Sequence, residues 1–455
     1  MGLDLADVAR RAAEFGGEEA VASVSLRREL VVECGPDGAL RPPRRTVDLL
    51  VRLLVRDGGG RLGIARCSHA TDDVQLALLA ERARAQAAGG HLDLRALPDP
   101  EPGPEHEGFD EGTASLDAVH ASGAARAAAA SIEFALGRGR SACWRGERVD
   151  VAVARSGGGL AVDRRTAAQL IARATDDDGL LTGYAEAAAP VAALLDPLSV
   201  GAGASPPLAP LERHVGPMVL RGADHAVVLE PAALAPLLEA FARAACTGHS
   251  HATGTSPLAG RLGMAVAPVD VTIADSPRFL HTLGRAIDVE GTPAEVVPLI
   301  EDGVAVGLLH DAASAYEMGT ISTGHATELG GAPRGPLARN IVLLPDDRPL
   351  TALELAAETD GPVVVVGLVD AVTTAGPVST RFRALARAAT LVDGGATVAI
   401  LGDVILTGDL VDLVGGIEAV GGRPQLIARL RRLPEHTSAT YCPAVRVQGL
   451  DVVVA

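Results

Sequence analysis

Aromatic residues are scarce in this sequence of 455 residues, where one tryptophan, three tyrosines and six phenylalanines make up 2% of the chain. Since 48% of the residues are hydrophobic, the cores must be built from alanine, valine and leucine rather than from rings. Proteins that bind single-stranded nucleic acid use aromatic side chains on which the bases stack. The scarcity of rings therefore argues against that class of function.

Positive charge is also in short supply, because 40 lysines and arginines face 57 aspartates and glutamates. The resulting net charge of −17 repels phosphate backbones and anionic lipid surfaces. The longest apolar run, near residues 363–369, is far shorter than the ~20 residues that a membrane-spanning helix needs. We therefore expect neither nucleic acid nor a membrane as a partner.

The cysteines are few, odd in number and without CxxC spacing, which is typical of a reducing compartment. The N-terminal sequence MGLDLADVARRAAEF has the pattern of an amphipathic helix and lacks the apolar core of a signal peptide. These features predict a cytoplasmic protein. The five cysteines are Cys34, Cys67, Cys143, Cys246 and Cys442.

The length exceeds what one hydrophobic core can organise and favours two domains. Residues 196–210, DPLSVGAGASPPLAP, have the composition of an interdomain linker, which places a boundary near residue 215. Helical and hairpin patterns precede this boundary, and short apolar runs punctuated by glycine and proline follow it. The sequence predicts an α+β protein. Its domain 1–215 would pack helices on antiparallel hairpins, and its domain 216–455 would be a strand-rich antiparallel sheet or partial barrel.

Three glycines near the start of the chain, Gly58, Gly60 and Gly63, match the dinucleotide-binding pattern GxGxxG. That motif requires a helix directly after the glycines, so that the pyrophosphate lies at the helix N-terminus. The residues that follow continue as a strand. We therefore predict a hairpin turn rather than a nucleotide site.

The central stretch 227–245, VVLEPAALAPLLEAFARAA, has the pattern of a short strand that breaks at Pro231 into a helix. Glu239 and Arg243 stand four residues apart on this helix, where the residues alone indicate an ordinary surface ion pair. The apolar positions recur at helical spacing and predict one buried face: Leu234, Leu237, Leu238, Phe241 and Ala245.

The tightest group of potential metal ligands follows this helix and comprises Cys246, His249 and His251 in CTGHSH. Zinc sites take three or four such groups. Ligands that lie this close along a loop rarely hold a metal without a distant fourth ligand, and no second cluster is evident. We favour a structural loop over a metal site here.

A second group, Asp288, Glu290 and Glu301, supplies carboxylates that could act as an acid and base pair. Gly291 and Pro293 favour the simpler interpretation, a turn that leads into a helix capped with acidic residues. No GxSxG elbow, Walker loop or HExxH motif occurs in the chain. The residues alone therefore indicate a two-domain α+β cytoplasmic protein without a defined activity.

Six segments of the second half occur in an order that resembles the TldD/PmbA family, also known as modulators of DNA gyrase. They are VVLEPAALAPLLEAF, TSPLAGRLG, VTIADSP, IDVEGTPAEVVPLIEDGVAVGLLHD, STGHATE and CPAVRVQGLDV. The first half agrees more loosely, so that the resemblance spans nearly the whole chain. Its strongest part, residues 275–326, implies cavity-lining roles for Asp275, Asp288, Glu290 and His325.

The resemblance implies a heterodimeric zinc metalloprotease with an enclosed cavity, which degrades unfolded peptides and trims leader peptides. In the catalytic subunit of this family the central helix carries an HExxxH motif. Its two histidines and a cysteine near the C-terminus bind zinc, and its glutamate is the general base for the metal-bound water.

This chain has Leu238, Glu239 and Arg243 at the positions of that motif, and Cys442 lies near the position of the cysteine ligand. Leucine cannot ligate a metal, and a guanidinium cation has no free lone pair. The resemblance therefore implies a PmbA-like, or TldE-like, subunit that has no catalytic residue and no cofactor of its own. Zinc is expected in a TldD-like partner subunit, and an extended peptide is expected as the substrate.

Two other functions remain open at this point. The chain could be a stand-alone hydrolase that uses Cys246 or Cys442 as a nucleophile with a nearby histidine. It could also be a homodimeric peptide-binding protein without a protease partner.

Overall fold

A computed structural model describes residues 3–90, 93, 95–132, 139–205, 218–220, 225–330, 335–376 and 379–454. The domain boundary predicted near residue 215 lies outside these ranges. Among the helices of the described residues, none combines the length and the apolar character that crossing a membrane requires.

The first half of the chain forms helices and one antiparallel sheet. Its elements are α1 (Leu5–Gly16), β1 (Ala20–Cys34), β2 (Arg44–Arg56), β3 (Leu62–Ser68), α2 (Asp73–Ala88), α3 (Glu111–Ala114), α4 (Ala118–Ser131), β4 (Gly139–Arg155), β5 (Leu160–Thr175), β6 (Leu181–Ala189), a 3-10 turn (Ala192–Leu194) and α5 (Pro197–Gly203). The sheet has the strand order β3-β2-β1-β4-β5-β6. All neighbouring strands in it are antiparallel.

Two hydrophobic clusters join the helices to this sheet. Helices α1 and α2 pack on strands β1 to β4 in one cluster, and α4 packs on strands β1, β4 and β5 in the other. Helix α4 contacts the sheet through small side chains and can therefore lie close to it, so this cluster is packed densely with few aromatic rings. These small side chains are Ala121, Ala124, Ala125, Ala128 and Ala129.

The glycines of the GxGxxG pattern lie at the β2–β3 hairpin, as predicted. Gly60 has a φ of 80°, which the tight turn requires. Gly63 lies in β3 beneath α2, where an added Cβ would lie 2.0 Å from the carbonyl oxygen of Ala83. The glycines thus serve the turn and the close packing of a helix on a strand.

The second half of the chain contains two more sheets. Its elements are β7 (Met218–Leu220), β8 (Val227–Leu229), α6 (Pro231–Ala245), α7 (Gly248–Ala252), β9 (Ile273–Asp275), β10 (Val297–Glu301), β11 (Val304–Ala305), α8 (Ala312–Met318), β12 (Asn340–Leu343), α9 (Ala352–Ala357), β13 (Val363–Thr374), β14 (Arg381–Asp393), β15 (Ala396–Asp409), α10 (Leu410–Gly415), β16 (Ile417–Val420), β17 (Gln425–Arg429), a 3-10 turn (Pro434–His436), β18 (Ser438–Cys442), β19 (Val445–Val447) and β20 (Asp451–Val454).

One of these sheets has the order β11-β10-β9-β12-β18-β17, and the other has the order β16-β19-β8-β13-β14-β15-β20-β7. The strand pairs are antiparallel except for β12–β18 and β8–β13, which are parallel. Helix α6 lies in the largest hydrophobic cluster, together with strands of both sheets. The prediction of an α+β protein with a strand-rich second half is confirmed.

Candidate functional site

Helix α6 forms where the sequence predicts it, directly after strand β8. The chain is still extended at Glu230, and Pro231 occupies the first turn of the helix, where its missing N–H breaks no intrahelical bond. Leu238 is 1% exposed and packs in the core between the two sheets of the second half. The apolar face of α6 therefore anchors the helix, and its other face is free to border a cleft.

That other face lines a cleft of about 1320 Å³. Glu239 and Arg243 lie on its wall. The remaining walls come from β3 and α2 of the first half, from residues 327–329 and Leu337, from the segment between β17 and β18, and from the start of β18. These lining residues are Ile64, Ala65, Arg66, Arg82, Ala85, Gln86, Thr327, Glu328, Leu329, Leu337, Arg431, Arg432, Leu433, His436 and Ser438.

The carboxylate of Glu239 is held by two side chains of the neighbouring sheet. One of its oxygens accepts a hydrogen bond from the Ser438 hydroxyl at 2.9 Å, and the other lies 3.5 Å from Nε of Arg429. Arg429 and Ser438 lie directly opposite each other on the antiparallel strands β17 and β18, so both reach the same carboxylate. Glu239 thus fastens α6 to this sheet.

The residues at the position of the HExxxH motif do not fit zinc. Leu238 is buried in the core, and Arg243 is a cation without a lone pair. Cys442 is fully buried with its sulfur 3.7 Å from the carbonyl oxygen of Pro231, and burial raises the pKa of its thiol. Zinc binds thiolate and neutral imidazole, and this position offers neither.

The group formed by Cys246, His249 and His251 does not assemble as a metal site either. Burial raises the pKa of Cys246 to about 12. His251 lies with Nε2 3.1 Å from the carbonyl oxygen of Ala245, at the end of α6, and burial lowers its pKa. Throughout the described ranges, no three His, Cys, Asp or Glu side chains are grouped so that they could hold a metal ion. Cys246 lies at the C-terminal end of α6, and His249 and His251 lie in the short helix α7 that follows.

Asp275, Asp288, Glu290 and His325 are not among the residues that line this cleft. Each is at most 2% exposed. Asp288 alone faces a small internal void, of about 20 Å³. Their carboxylates and imidazole accept or donate hydrogen bonds that fix loops beneath the cleft, so the four residues have structural positions.

Asp275 is the centre of the first of these hydrogen-bond networks. One of its oxygens accepts the backbone N–H groups of Arg339 and Asn340, the latter at 2.9 Å, and the other lies 3.0 Å from Nε2 of His325. Burial acts to raise the pKa of Asp275. The charge and the hydrogen bond of His325, followed by the charge of Arg285 and the backbone hydrogen bonds, outweigh burial and lower this pKa to about 2.

His325 is the second titratable group of this network. Burial and the nearby Arg285 lower the pKa of its imidazole more than Asp275 raises it. The Nδ1 atom lies 2.9 Å from the hydroxyl oxygen of Thr323. A neutral ring that donates from Nε2 to Asp275 and accepts at Nδ1 from Thr323 satisfies both nitrogens.

The second network places two carboxylates close together. Asp288 accepts the backbone N–H groups of Glu290 and Thr292 with one oxygen and that of Ala326 with the other, at 2.8–3.0 Å. Glu290 accepts the N–H of Ala312 with Oε2, whereas its Oε1 has no partner among the described residues. Burial raises the pKa of Asp288 to about 6, and burial together with the charge of Asp288 raises that of Glu290 to about 8.

Replacing Glu290 by glutamine should therefore flatten the pH dependence of stability. Because the folded protein holds this proton up to about pH 8 and the unfolded chain releases it near the ordinary pKa of 4.5, wild-type stability falls as the pH rises through that window. The E290Q variant lacks this titration. Between about pH 5 and pH 8.5, its free energy of unfolding should therefore rise relative to that of wild type by about 1.4 kcal/mol for each unit by which the pKa of Glu290 differs between the folded and unfolded states. Urea unfolding at the two pH values measures this gain. The same change in stability with pH in wild type and in E290Q would contradict this prediction. Glu317→Gln, on the exposed side of α8, is the matched control.

Several residues of this site were not found from the sequence. Arg429 and Ser438 lie about 190 and 199 residues from Glu239 along the chain, and no local pattern connects them. The pair Arg431 and Arg432, in LRRLPEHTS, was visible as a doublet of basic residues in an acidic chain. That doublet was the one available signal for the charge of the cleft.

Three solved structures share this fold over nearly their whole length. A candidate modulator of a DNA gyrase from Thermotoga maritima matches with a TM-score of 0.77 and 21% identity, covering 97% of each chain. TldE from Thermococcus kodakarensis matches with a TM-score of 0.78 and 18% identity, covering 98% of this chain and 99% of that one. A candidate modulator of DNA gyrase from Bacteroides thetaiotaomicron matches with a TM-score of 0.75 and 17% identity, covering 99% and 98%.

The sequence comparisons concern shorter stretches. A metalloprotease from Methanothermobacter thermautotrophicus is 29% identical over 173 residues, which are 37% of this chain and 36% of that relative. The match thus spans about a third of the relative's length. The family model of the PmbA/TldA metallopeptidase C-terminal domain matches residues 222–454. Because this match covers just over half of the chain, the chain belongs to the TldD/PmbA family of metallopeptidases.

Proposed function

We propose that this chain is the zinc-free partner subunit of a two-subunit peptidase of the TldD/TldE type. It closes a peptide-holding cavity together with a TldD-like subunit that carries HExxxH and zinc. The observation that carries this proposal is helix α6, on which Leu238 packs into the core and Arg243 lines the cleft in place of two imidazoles. The fold shared with TldE from Thermococcus kodakarensis supports the same assignment.

The position of Glu239 supports a subunit without its own chemistry. A general base needs a carboxylate that can take a proton from a bound water. Here both oxygens are engaged within the chain, one by the hydroxyl of Ser438 and the other by the charge of Arg429. Glu239 therefore serves as an anchor of the helix rather than as a base.

The cleft is large enough for an extended peptide, and one of its walls contains an edge strand to which a peptide can pair. Its volume of about 1320 Å³ exceeds the roughly 300–1,000 Å³ of pockets for small molecules. Strand β3 is at the edge of its sheet, and its residues Ile64 and Arg66 line the cleft. In an antiparallel pair of strands, hydrogen-bonded residue pairs alternate with pairs that are not hydrogen-bonded. The N–H of His69 donates to the carbonyl of Leu49, which makes these two residues a hydrogen-bonded pair and fixes the alternation along β2 and β3. Ile64 and Arg66 therefore belong to pairs that are not hydrogen-bonded, and their N–H and C=O groups face away from β2. A peptide could add to this edge as a strand, with little sequence preference.

A stand-alone cysteine hydrolase is not favoured by the geometry. A thiol nucleophile needs a depressed pKa and an accessible sulfur. Cys246 and Cys442 are both buried, and burial raises both pKa values. All five cysteines are unpaired, which supports the cytoplasmic location that we propose with this function.

The test is co-expression with an HExxxH relative, ideally one encoded beside this chain. We expect the purified chain alone to carry no stoichiometric zinc and to cleave no unfolded peptide. The two chains should elute as a heterodimer that contains zinc and cleaves such peptides. Metal analysis, light scattering after size exclusion and a peptide-cleavage assay measure these results.

A relative whose own motif glutamate is replaced by glutamine is the matched control, because it should assemble without activity. Stoichiometric zinc in this chain alone, lost on His249→Ala and His251→Ala, would overturn the proposal. So would a stable homodimer that binds peptide and ignores the relative, which is the outcome expected of a peptide-binding protein without a protease partner.

A further inference from the structure

The walls of the cleft carry an excess of positive charge. Five arginines and one histidine line it, against two glutamates. The chain as a whole has a net charge of −17, so this concentration of cations runs against its composition. The basic residues are Arg66, Arg82, Arg243, Arg431, Arg432 and His436, and the acidic ones are Glu239 and Glu328.

The two glutamates of the cleft already have partners within the chain. Glu239 lies 3.5 Å from Arg429, and Ser438 donates to it. Glu328 lies 4.0 Å from both Arg66 and His436. Among the described residues that line the cleft, the two carboxylates are thus fewer than the five guanidinium groups.

Arg82 and Arg431 are the open positions of this wall. Both are exposed, and neither forms an ion pair with any residue that the structure describes. Arg432 reaches away to Asp48, at 3.1 Å, but its side chain is 82% exposed and this pair is weak. Arg82 lies on α2 and Arg431 lies between β17 and β18, so the cations come from different walls of the cleft.

The segment that carries Arg431 is held rigidly in place. Its residue Glu435 is ion-paired with Arg52 of β2, and both are buried. The carbonyl oxygen of Pro434 accepts hydrogen bonds from Arg165 and Arg339 at 3.0 and 3.1 Å. Because the backbone of this segment is fixed before binding, little backbone entropy is lost when a ligand binds.

We propose that the cleft selects peptide segments rich in aspartate and glutamate. The proposal rests on the proposed function in one respect, that the cleft holds a peptide. In an extended peptide successive side chains point to opposite sides, so alternate carboxylates can reach cations on one wall or the other. A nucleic acid is the weaker candidate, because no phenylalanine, tyrosine or tryptophan is among the described residues that line the cleft.

The test uses the purified full-length chain and two fluorescein-labelled peptides, one that alternates threonine with aspartate and one that alternates threonine with asparagine. Fluorescence anisotropy should give about tenfold tighter binding of the aspartate peptide at low salt. The preference should fade when the salt is raised from about 50 mM to about 300 mM, where screening is strong. Arg82→Glu combined with Arg431→Glu should remove the preference for the aspartate peptide.

Arg383→Glu, an exposed substitution on β14 outside the cleft, is the matched control and should keep the preference. Equal binding of the two peptides by the wild-type chain would overturn the proposal, as would a preference that survives the double reversal. The salt series on the unaltered chain decides the question if the double variant fails to fold.

Because binding is measured on this chain alone, its result is separate from activation by an HExxxH relative. If an HExxxH relative is activated by this chain but the chain shows no preference for the aspartate peptide, only the present inference is overturned. If the chain prefers the aspartate peptide but activates no relative, only the proposed partnership is overturned.

Discussion

Replacing Asp275 by alanine should lower the free energy of unfolding by about 3–5 kcal/mol, the range found when one partner of a buried charge pair is removed. The carboxylate is fully buried, accepts two backbone N–H groups and one imidazole N–H, and lies 3.8 Å from the guanidinium of Arg285. Without it, these donors lose their acceptor and the buried Arg285 loses the carboxylate with which it is ion-paired. Urea unfolding monitored by circular dichroism measures the loss.

The same residue should contribute to acid unfolding. The folded state lowers the pKa of Asp275 to about 2, below the ~3.9 of an unfolded chain. Its contribution is therefore present above about pH 4 and is lost as the pH falls towards 2. D275N should lose this pH-dependent part and retain some of the hydrogen bonds. Asp270→Ala, an exposed aspartate nearby, is the control, and equal stability of D275A and D270A would contradict the prediction.

Local patterns in the sequence were sufficient for some of the elements around the cleft. The break at Pro231 and the helical spacing of Leu234, Leu238 and Phe241 predict β8 and α6, because periodicity and turn chemistry act over a few residues. The glycines between β2 and β3 likewise predict a hairpin. The α+β class follows from the same local information.

The roles of polar side chains could not be predicted in this way. From the sequence, Asp288 and Glu290 could have been an acid and base pair. The structure shows that both are buried and that Asp288 accepts backbone N–H groups, one of them from a loop distant in sequence, which no local pattern indicates. Glu239 had the spacing of a surface ion pair with Arg243, whereas its tether comes from β17 and β18. Partners separated by almost two hundred residues are brought together by sheet register, which a single sequence does not encode in any short pattern.

Glu435→Leu should also destabilise the protein by about 3–5 kcal/mol, because it leaves Arg52 buried without its partner. Arg52 is 2% exposed, its Nε and Nη1 have no hydrogen-bond partner in the described part of the chain, and burial lowers its pKa to about 10. The double variant Arg52→Met with Glu435→Leu should recover most of the loss, since apolar pairs often replace buried ion pairs at no net cost. Urea unfolding of the wild type, both single variants and the double variant forms the cycle. A double variant as unstable as E435L would contradict this account.

The cycle also separates the stability of the pair from its effect on the cleft. Glu435 lies three residues after Arg432 in the segment between β17 and β18, and Arg52 belongs to the first sheet, so the pair joins the two halves of the chain beside the cleft. An apolar pair restores burial but does not impose the same geometry, because dispersion contacts lack the directionality of an ion pair. We therefore expect the double variant to regain stability and yet bind the aspartate peptide several-fold more weakly than wild type. Wild-type affinity in a stable double variant would instead mean that the backbone contacts of Pro434 alone position the cationic wall.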